Sequence, residues 1–562
     1  MEISRPTHTY RFSRKACIHA SVAFLVVAAA VLFFAGTASA NNDSETQYIR
    51  LLWTNDTHGF FVPVWHAEFE ELDSYEGTAA TEGKVGGYAN IKALADKLRA
   101  PYPNSLFMDS GDTFDGSPVA QKTSGLGVIP VINAMGYDAM TPGNRDFAYG
   151  KAKFLEAAAA ITAPYLSMNL RDEDTGELVL DPYLIKDLPG GMRVAIIGVT
   201  HPLSTTGFVH GENLAPRSSY EAFQVAKELT RLVARIRAEY HPDLVVALSH
   251  FGYLQDIKLA SEQRGLDVIL GAHTHHNIFE QHLVKDKSGK RDVVVVQAGS
   301  HGKYLGKLDL EVKHKHKRHS KIRVSNYELI RVTADRLIAD DIVPDATVQA
   351  LAENAYAPFA AELDRVIGTT DVVIARRGDV QSTMANLLTD AWSEIYGTDL
   401  SRHFGIRYGS SIVPGPITVG DVWNMVSPNI GGNGMYVGTT NGAFVYGQIN
   451  GGLNREYGDD PYDWAGGDVT RFNNNVTYTY KVNAPDDQHI VDLKVGDDYL
   501  VQDGVVNAGN LAKTYTYAGS APAGSGTPRR SDTTAVEEII KYIEDHAGPI
   551  SSGIDGRTQR LD

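Results

Sequence analysis

Six short apolar runs, each closing on polar residues, constrain this chain most. They read "YIRLLWTND", "SLFMDSGD", "RVAIIGVT", "LVVALSH", "DVILGAH" and "DVVVVQAG", spread between Tyr48 and Gly299. Runs of this length, rich in β-branched residues and bounded by turn signals, predict buried strands. Between them, "GGYANIKALADKLRA" and "SYEAFQVAKELTRLVARIRAEY" space their apolar residues as helices do. Strand then helix, repeated, predicts an α/β layered domain from Tyr48 to about Lys313. Asp56, Asp112, His250 and His273 stand at the carboxyl ends of those strands. Ligands gather at that edge in α/β folds.

At 562 residues the chain exceeds one ordinary core, so two domains are expected. Its net charge of −16 argues against a partner that is a nucleic-acid polymer. The first forty residues read as a separate object. Arg5, Arg11, Arg14 and Lys15 precede "SVAFLVVAAAVLFFAG" and then "TASA", which ends at Ala40. That pattern predicts a secretory leader, 1–40, and a periplasmic or secreted protein with no stable membrane anchor after cleavage. An uncleaved anchor is the alternative, although the apolar run falls short of the roughly 20 residues of a membrane span. Cys17, the one cysteine, lies in the leader, so neither disulfides nor thiolate chemistry are expected beyond it.

"KHKHKRHSKIR", from Lys313 to Arg323, lies between the strand-like "KLDLEV" and "VSNYELIRV" and is read as the solvated turn of a hairpin rather than a metal or polyanion tract. "VPDATVQALAENAYAPFAAELDRVIG" is read as one linking helix starting at Pro344–Asp345. Beyond Thr369 the texture turns Gly-, Asn- and Tyr-rich, with one helical stretch, "STMANLLTDAWSEIYG", which predicts an α+β domain. "TTAVEEIIKYIEDHA" is an amphipathic helix, and a loose polar end is expected after it.

Five separated motifs carry metal-ligand chemistry. "TNDTHG" gives Asp56 and His58, which are two apart and so share a side if the segment is extended. "DSGDTFDG" gives Asp112, a carboxylate able to bridge two ions. "PGNRDF" gives Asn144, a neutral oxygen donor; "LSHFG" gives His250; "GAHTHH" gives His273 and His275, again two apart. The mixed N/O set fits Mn or Zn best, with Fe or Co possible, and is poor for Mg or Ca alone. Seven donors are too many for one tetrahedral ion and suit two sharing Asp112. Such a pair lowers the pKa of a bridging water for in-line attack on a phosphoryl-type centre. Asp109, Asp115, His276 and His301 are read as supporting or structural neighbours.

On these motifs the sequence resembles the calcineurin-like metallophosphoesterases, and within them the secreted bacterial 5′-nucleotidase family. "QAGSHGKYLGKLDLEV", "MANLLTDAW" and "GPITVGDVWNM" extend the resemblance into a second domain. It implies a four-layer sandwich of stacked sheets flanked by helices over 41–335, a helical linker over 336–368 and a smaller α+β substrate-binding domain over 369–562. The implied site lies between two domains that are able to hinge. The implied substrate is a small anion of nucleotide type.

Two departures from the family stand out. Its loop normally reads Asn-His-Glu/Asp-Phe-Asp, with the His beside the leaving group; here those His and final Asp positions are Arg145 and Ala148. Arginine cannot act as a general acid, since its pKa exceeds about 12. Asn144 and Arg145 are therefore assigned to the reacting centre, Arg145 as a clamp on an anionic substrate; the alternative pairs it with a carboxylate such as Asp146. The nucleoside-binding loops also differ: "RHFGIRYGSS" stands at the first and "NAGNLAKTYTYAGSAP" at the second. Arg377, Arg407, Phe404 and Tyr408 are the substrate-binding candidates, with Tyr462 and Trp464 as further stacking candidates. "FFVPVW", "DPYDWAGGDVTRF" and "KTYTYAGSAP" look more like the sulfur-oxidation thiosulfohydrolases, whose substrate would be a sulfonate on a carrier-protein cysteine. A metal-bearing anion-binding protein without turnover is the third reading.

Overall fold

Leu51, Leu52 and Trp53 are all buried. Successive side chains of a strand point to opposite faces, so the strand Thr46–Thr54 has to be covered on both. In the computed structural model it is. The described residues are 46–65, 82–172, 175–201, 219–315, 318–375, 380–403, 409–426, 434–458, 460–463, 469–520 and 529–562. Residues 1–40, read above as a leader, lie outside them, as do Arg377, Phe404, Arg407, Tyr408, Trp464 and the tip of the basic hairpin.

Thr46–Thr54 pairs parallel to Ser105–Asp109 and antiparallel to Tyr304–Lys315 in a five-stranded sheet. Arg318–Arg331 and Ala139–Met140 form its edges. A second, six-stranded sheet runs in the order His282–Lys285, Asp292–Gln297, Val268–Gly271, Leu244–Ser249, Arg193–Val199, Tyr183–Asp187, its four inner strands parallel.

Leu51 and Trp53 point between the sheets and pack with Val246, Leu248, Val268 and Val296 of the second. Leu52 and Phe107 point the other way, onto Tyr88–Arg99, Ile129–Met135 and Lys151–Ala160 through Ile91, Ile132 and Phe154. On the far side, Ala195, Val245 and Ile269 meet Leu229 and Val233 of Ser219–Glu239 and Leu259 of Tyr253–Glu262. Helices, sheet, sheet and helices make four layers, and the continuous apolar runs are the strands covered on both faces.

Beyond Val366 the chain is α+β. Two five-stranded sheets form, one ordered Arg471–Phe472, Leu400–His403, Thr514–Gly519, Gly434–Asn441, Arg529–Thr534. Thr383–Tyr396 starts at Ser382, whose side chain accepts from Ala385 N, and ends at left-handed Gly397. Ala535–Asp545 opens on a Thr534/Glu537 capping box.

Two expectations fail. The stretch read as one linking helix breaks: Ala346–Tyr356, capped by Asp345, gives way to a 3₁₀ turn at Ala357–Phe359 and then Ala360–Leu363. Pro358 has no N–H to continue the ladder. The end of the chain is not loose either. Thr558–Arg560 pairs parallel to Val476–Tyr480, and buried Arg557 bonds Asp390 at 2.7 Å and Asp555 at 2.6 Å.

Residues 44–562 form one compact unit. Lys122 meets Glu362 at 2.8 Å and lies 4.6 Å over the Trp423 ring. Tyr462, a stacking candidate, is instead 2% exposed and joins the core of the six-stranded sheet's outer helices, its hydroxyl 3.0 Å from Glu262. Its ring is taken up by packing under Lys258 at 4.0 Å and is not open to a base.

Gly306 lies opposite Trp53 across the sheet, and a Cβ there would overlap the indole. Gly306→Ala is expected to cost about 1–3 kcal/mol through overpacking. Urea unfolding would show it as a lowered midpoint at unchanged slope.

Candidate metal centre

Five of the seven candidate ligands sit in left-handed backbone: Asp56 (φ 48°), His58 (52°), Asp112 (55°), His273 (76°) and His275 (58°). Non-glycine residues adopt this region at a cost of order 1–3 kcal/mol each, and only where surrounding bonds enforce it. Here the loops lace together. Asp56 N donates to Gly111 O at 2.9 Å, His58 N to Asp112 O at 2.8 Å, and His301 N to Asp56 O at 2.8 Å. The sharp turns swing the side chains at the strand ends towards one point.

The structure brings all seven candidates together, six in two buried groups and Asn144 beside one of them. Asp56, His58 and His275 form one; Asp112, His250 and His273 form the other. Asp112 Oδ2 lies 3.1 Å from His250 Nε2 and 3.8 Å from His58 Nε2, so it faces both. Asn144 Oδ1 is 2.8 Å from His273 Nδ1. The paired motifs depart from extended geometry in two respects. Asp56 and His58 share a group although their segment is left-handed rather than extended. His273 and His275, also two apart, fall into different groups, because each turns its own backbone.

The tautomers show that this donor set fits cations. His58 Nδ1 lies 2.7 Å from Asp115 O, and His250 Nδ1 lies 2.7 Å from Ser110 O. A carbonyl only accepts, so in each neutral ring Nδ1 carries the proton and Nε2 a lone pair. The lone pair of His250 then faces Asp112 Oδ2 at 3.1 Å and Asp56 Oδ1 at 3.7 Å. That arrangement is repulsive unless a positive charge lies between. His58 Nε2 and His275 Nε2 meet similarly at 3.1 Å, with Asp56 Oδ1 3.2 Å from the latter. A proton or a cation has to fill each gap, and backbone acceptors behind ligating histidines are the usual way their orientation is fixed.

Without ions the titrations diverge. Burial lowers His58 to about 4, with Asp112 opposing and Arg145 adding to the fall. Burial also works against protonated His250, but Asp112 and Asp56 outweigh it and raise it to about 10. Burial would raise Asp112, yet His250, His58 and the Arg145 N–H hold it well below the carboxylate range. Asp146 is pushed up to about 7 by burial and by the charge of Asp112.

Arg145 is buried, and its guanidinium is directed at Asp115, Nε at 2.8 Å and an Nη at 2.6 Å. Asp146, the partner named in the sequence reading, instead accepts the N–H groups of Gly143 (2.8 Å), Asp112 (3.0 Å), Thr113 (2.8 Å) and Phe114 (3.2 Å). The Arg145 main chain also donates to Asp112 Oδ1 at 2.6 Å. Gly143 permits this fit, since a Cβ there would strike Asp112 and His250.

Sequence reasoning passed over His201, whose buried ring centres 4.0 Å from that of His273. It too is a histidine just past a strand, after Arg193–Val199, and the signal that found His250 would have found it. Asn55 was also missed; it donates to Asp56 Oδ2 at 2.7 Å and to Gly299 O at 2.7 Å.

Residues 49–277 match the family described as Calcineurin-like phosphoesterase, and residues 366–521 match 5'-nucleotidase, C-terminal domain. Trifunctional nucleotide phosphoesterase protein YfkN of Bacillus subtilis (strain 168) is 24% identical over 519 residues, 83% of this chain; the chain spans only 33% of that relative. A 5'-nucleotidase precursor from Thermus thermophilus superimposes with a TM-score of 0.74 at 25% identity, covering 92% of this chain and 100% of that one. The sulfate thiohydrolase SoxB, also from Thermus thermophilus, gives 0.75 at 20% identity, covering 93% and 98%, a likeness of fold.

Two outcomes are expected at this centre. Because a cation displaces the proton that Asp112 and Asp56 favour at His250, titrating Mn²⁺ or Zn²⁺ into metal-free protein near pH 7.5 should release about one proton as the Asp112/His250/His273 group fills. Calorimetry in two buffers of different ionisation enthalpy measures the release, and affinity should weaken as pH falls. Asp112→Asn should reduce bound metal from two ions to one or none, measured by elemental analysis.

Proposed function

From a chain that joins a calcineurin-like phosphoesterase domain to a 5′-nucleotidase C-terminal domain, we propose a secreted, dinuclear-metal-dependent hydrolase of nucleotide-type phosphoesters. The observation that carries this reading is the convergence of Asp56, His58, Asp112, Asn144, His250, His273 and His275 on two buried points, with Asp112 facing both. When bound, a pair of Mn or Zn ions would polarise the phosphoryl oxygen and supply a water of lowered pKa. The chain's own part is to hold and orient. Asp115 O and Ser110 O fix the His58 and His250 tautomers. Asn55 and the His273 N–H hold Asp56, and the Arg145 N–H holds Asp112.

Arg145 then contributes a permanent positive charge beside His58, balanced by Asp115, and no proton. Ala148 removes the second member of the family's acid pair. Leaving groups that depart without protonation are therefore favoured over poor ones. Substrate recognition is assigned to Arg377, Arg407, Phe404 and Tyr408 of the second domain, and export to the basic and apolar leader. A second reading, hydrolysis of a sulfonated carrier-protein cysteine, is favoured by the same missing acid pair and by the fold likeness to SoxB.

The test is a substrate panel on metal-replete protein. Turnover of nucleoside monophosphates and aryl phosphates, abolished by chelation and restored by Mn²⁺ or Zn²⁺, supports the reading. Two stoichiometric ions with turnover only of a thiosulfonate carrier support the second, and no turnover at all leaves an anion-binding protein. Within the first outcome, Arg145→His should narrow the gap between good and poor leaving groups by roughly 10²-fold or more, since a positioned general acid contributes about 10²–10⁴.

A further inference from the structure

His301 is 3% exposed, strained at φ 56°, and absorbed by none of the ligand roles above. Its main-chain N–H donates to Asp56 O at 2.8 Å. Its ring centres lie 5.7 Å from those of both His58 and His275, and Phe60 meets it edge-on at 4.7 Å. On its other side the ring leaves the catalytic lobe: Nε2 accepts the Gly409 N–H at 3.2 Å. An accepting Nε2 places the ring proton on Nδ1, which lies 3.1 Å from Ser300 Oγ. Gly409 leads into Ile412, which exchanges both backbone hydrogen bonds with Ile374 at 2.9 and 3.0 Å, and then into Gly415–Thr418, paired with Val366–Thr370. One side chain thus touches two proposed metal ligands and fastens the backbone of the second lobe.

We infer that His301 is a positioning residue that sets the register of the second lobe against the metal centre, so that a substrate held by both lobes is aligned while one held by the centre alone is indifferent to it. The strain supports a task beyond packing. A glycine would adopt the same backbone without cost, but would give neither the ring contacts nor the acceptor for Gly409. The inference rests on the hydrolase reading for its kinetic consequence, though not for the bond itself.

His301→Phe keeps a ring against Phe60, His58 and His275 and removes the acceptor. Two bound metal ions and a melting temperature near that of the unaltered protein are expected. For a nucleoside monophosphate KM should rise about tenfold with kcat changed less, while kcat/KM for 4-nitrophenyl phosphate stays within about twofold. Amide hydrogen exchange at Gly409–Ile412 should quicken at least about tenfold. His301→Gln, which carries an acceptor near the Nε2 position, should recover both. Metal loss in His301→Phe, equal loss on the two substrates, or unchanged Gly409 exchange would each overturn the inference. If the unaltered protein turns over neither substrate, the hydrolase reading fails, and the exchange measurement still decides whether the bond fastens the lobe.

Discussion

Imidazole lone pairs and carboxylate oxygens face one another in a buried site, and the rest of the first lobe is arranged around that fact. In a buried pocket such an array is costly unless a cation or a proton lies between the donors. The sheets supply rigid strand ends, and the left-handed turns at Asp56, His58, Asp112, His273 and His275 aim the side chains inward. The strain of those turns is offset by backbone bonds between loops, and by Asn55 and Asp146, which gather N–H groups and carbonyls that would otherwise be buried unpaired. The fold brings the donors within reach of one another.

Arg145 ties two carboxylates of the site together. A buried fixed cation stands beside the centre, and it is balanced by a carboxylate, Asp115, whose own carbonyl orients His58. Side chain and main chain of Arg145 thus act on two carboxylates, one pairing with Asp115 and the other holding Asp112. A buried pair of this kind contributes little net stability, but removing one partner strands a charge. The arrangement therefore fixes geometry more than it stabilises the fold.

The second lobe is held to the first by chemically distinct contacts. Tyr462 is anchored among Phe251, Lys258 and Glu262; Lys122 spans Glu362 and Trp423; and Gly409 is tied to His301. Tyr462, one of four aromatics that the sequence offers as stacking candidates, is spent on this anchoring. A tyrosine in a Gly- and Asp-rich stretch carries no local sign that its partner helix lies two hundred positions away.

The sequence by itself determined the layered α/β class and the chemical identity of the candidate ligands. Both are local properties: continuous apolar runs need cover on two faces, and Asp, Asn and His at strand ends are donors wherever they meet. It also carried the break at Pro358, which a stricter reading of that one residue would have found. Only the tertiary structure decided that His273 and His275 serve different groups, that Arg145 answers to Asp115, and that His301 reaches the second lobe. Those outcomes depend on backbone angles at single residues and on hydrogen bonds between loops far apart in the chain. Neither spacing nor composition encodes the direction in which a side chain points once its backbone turns left-handed.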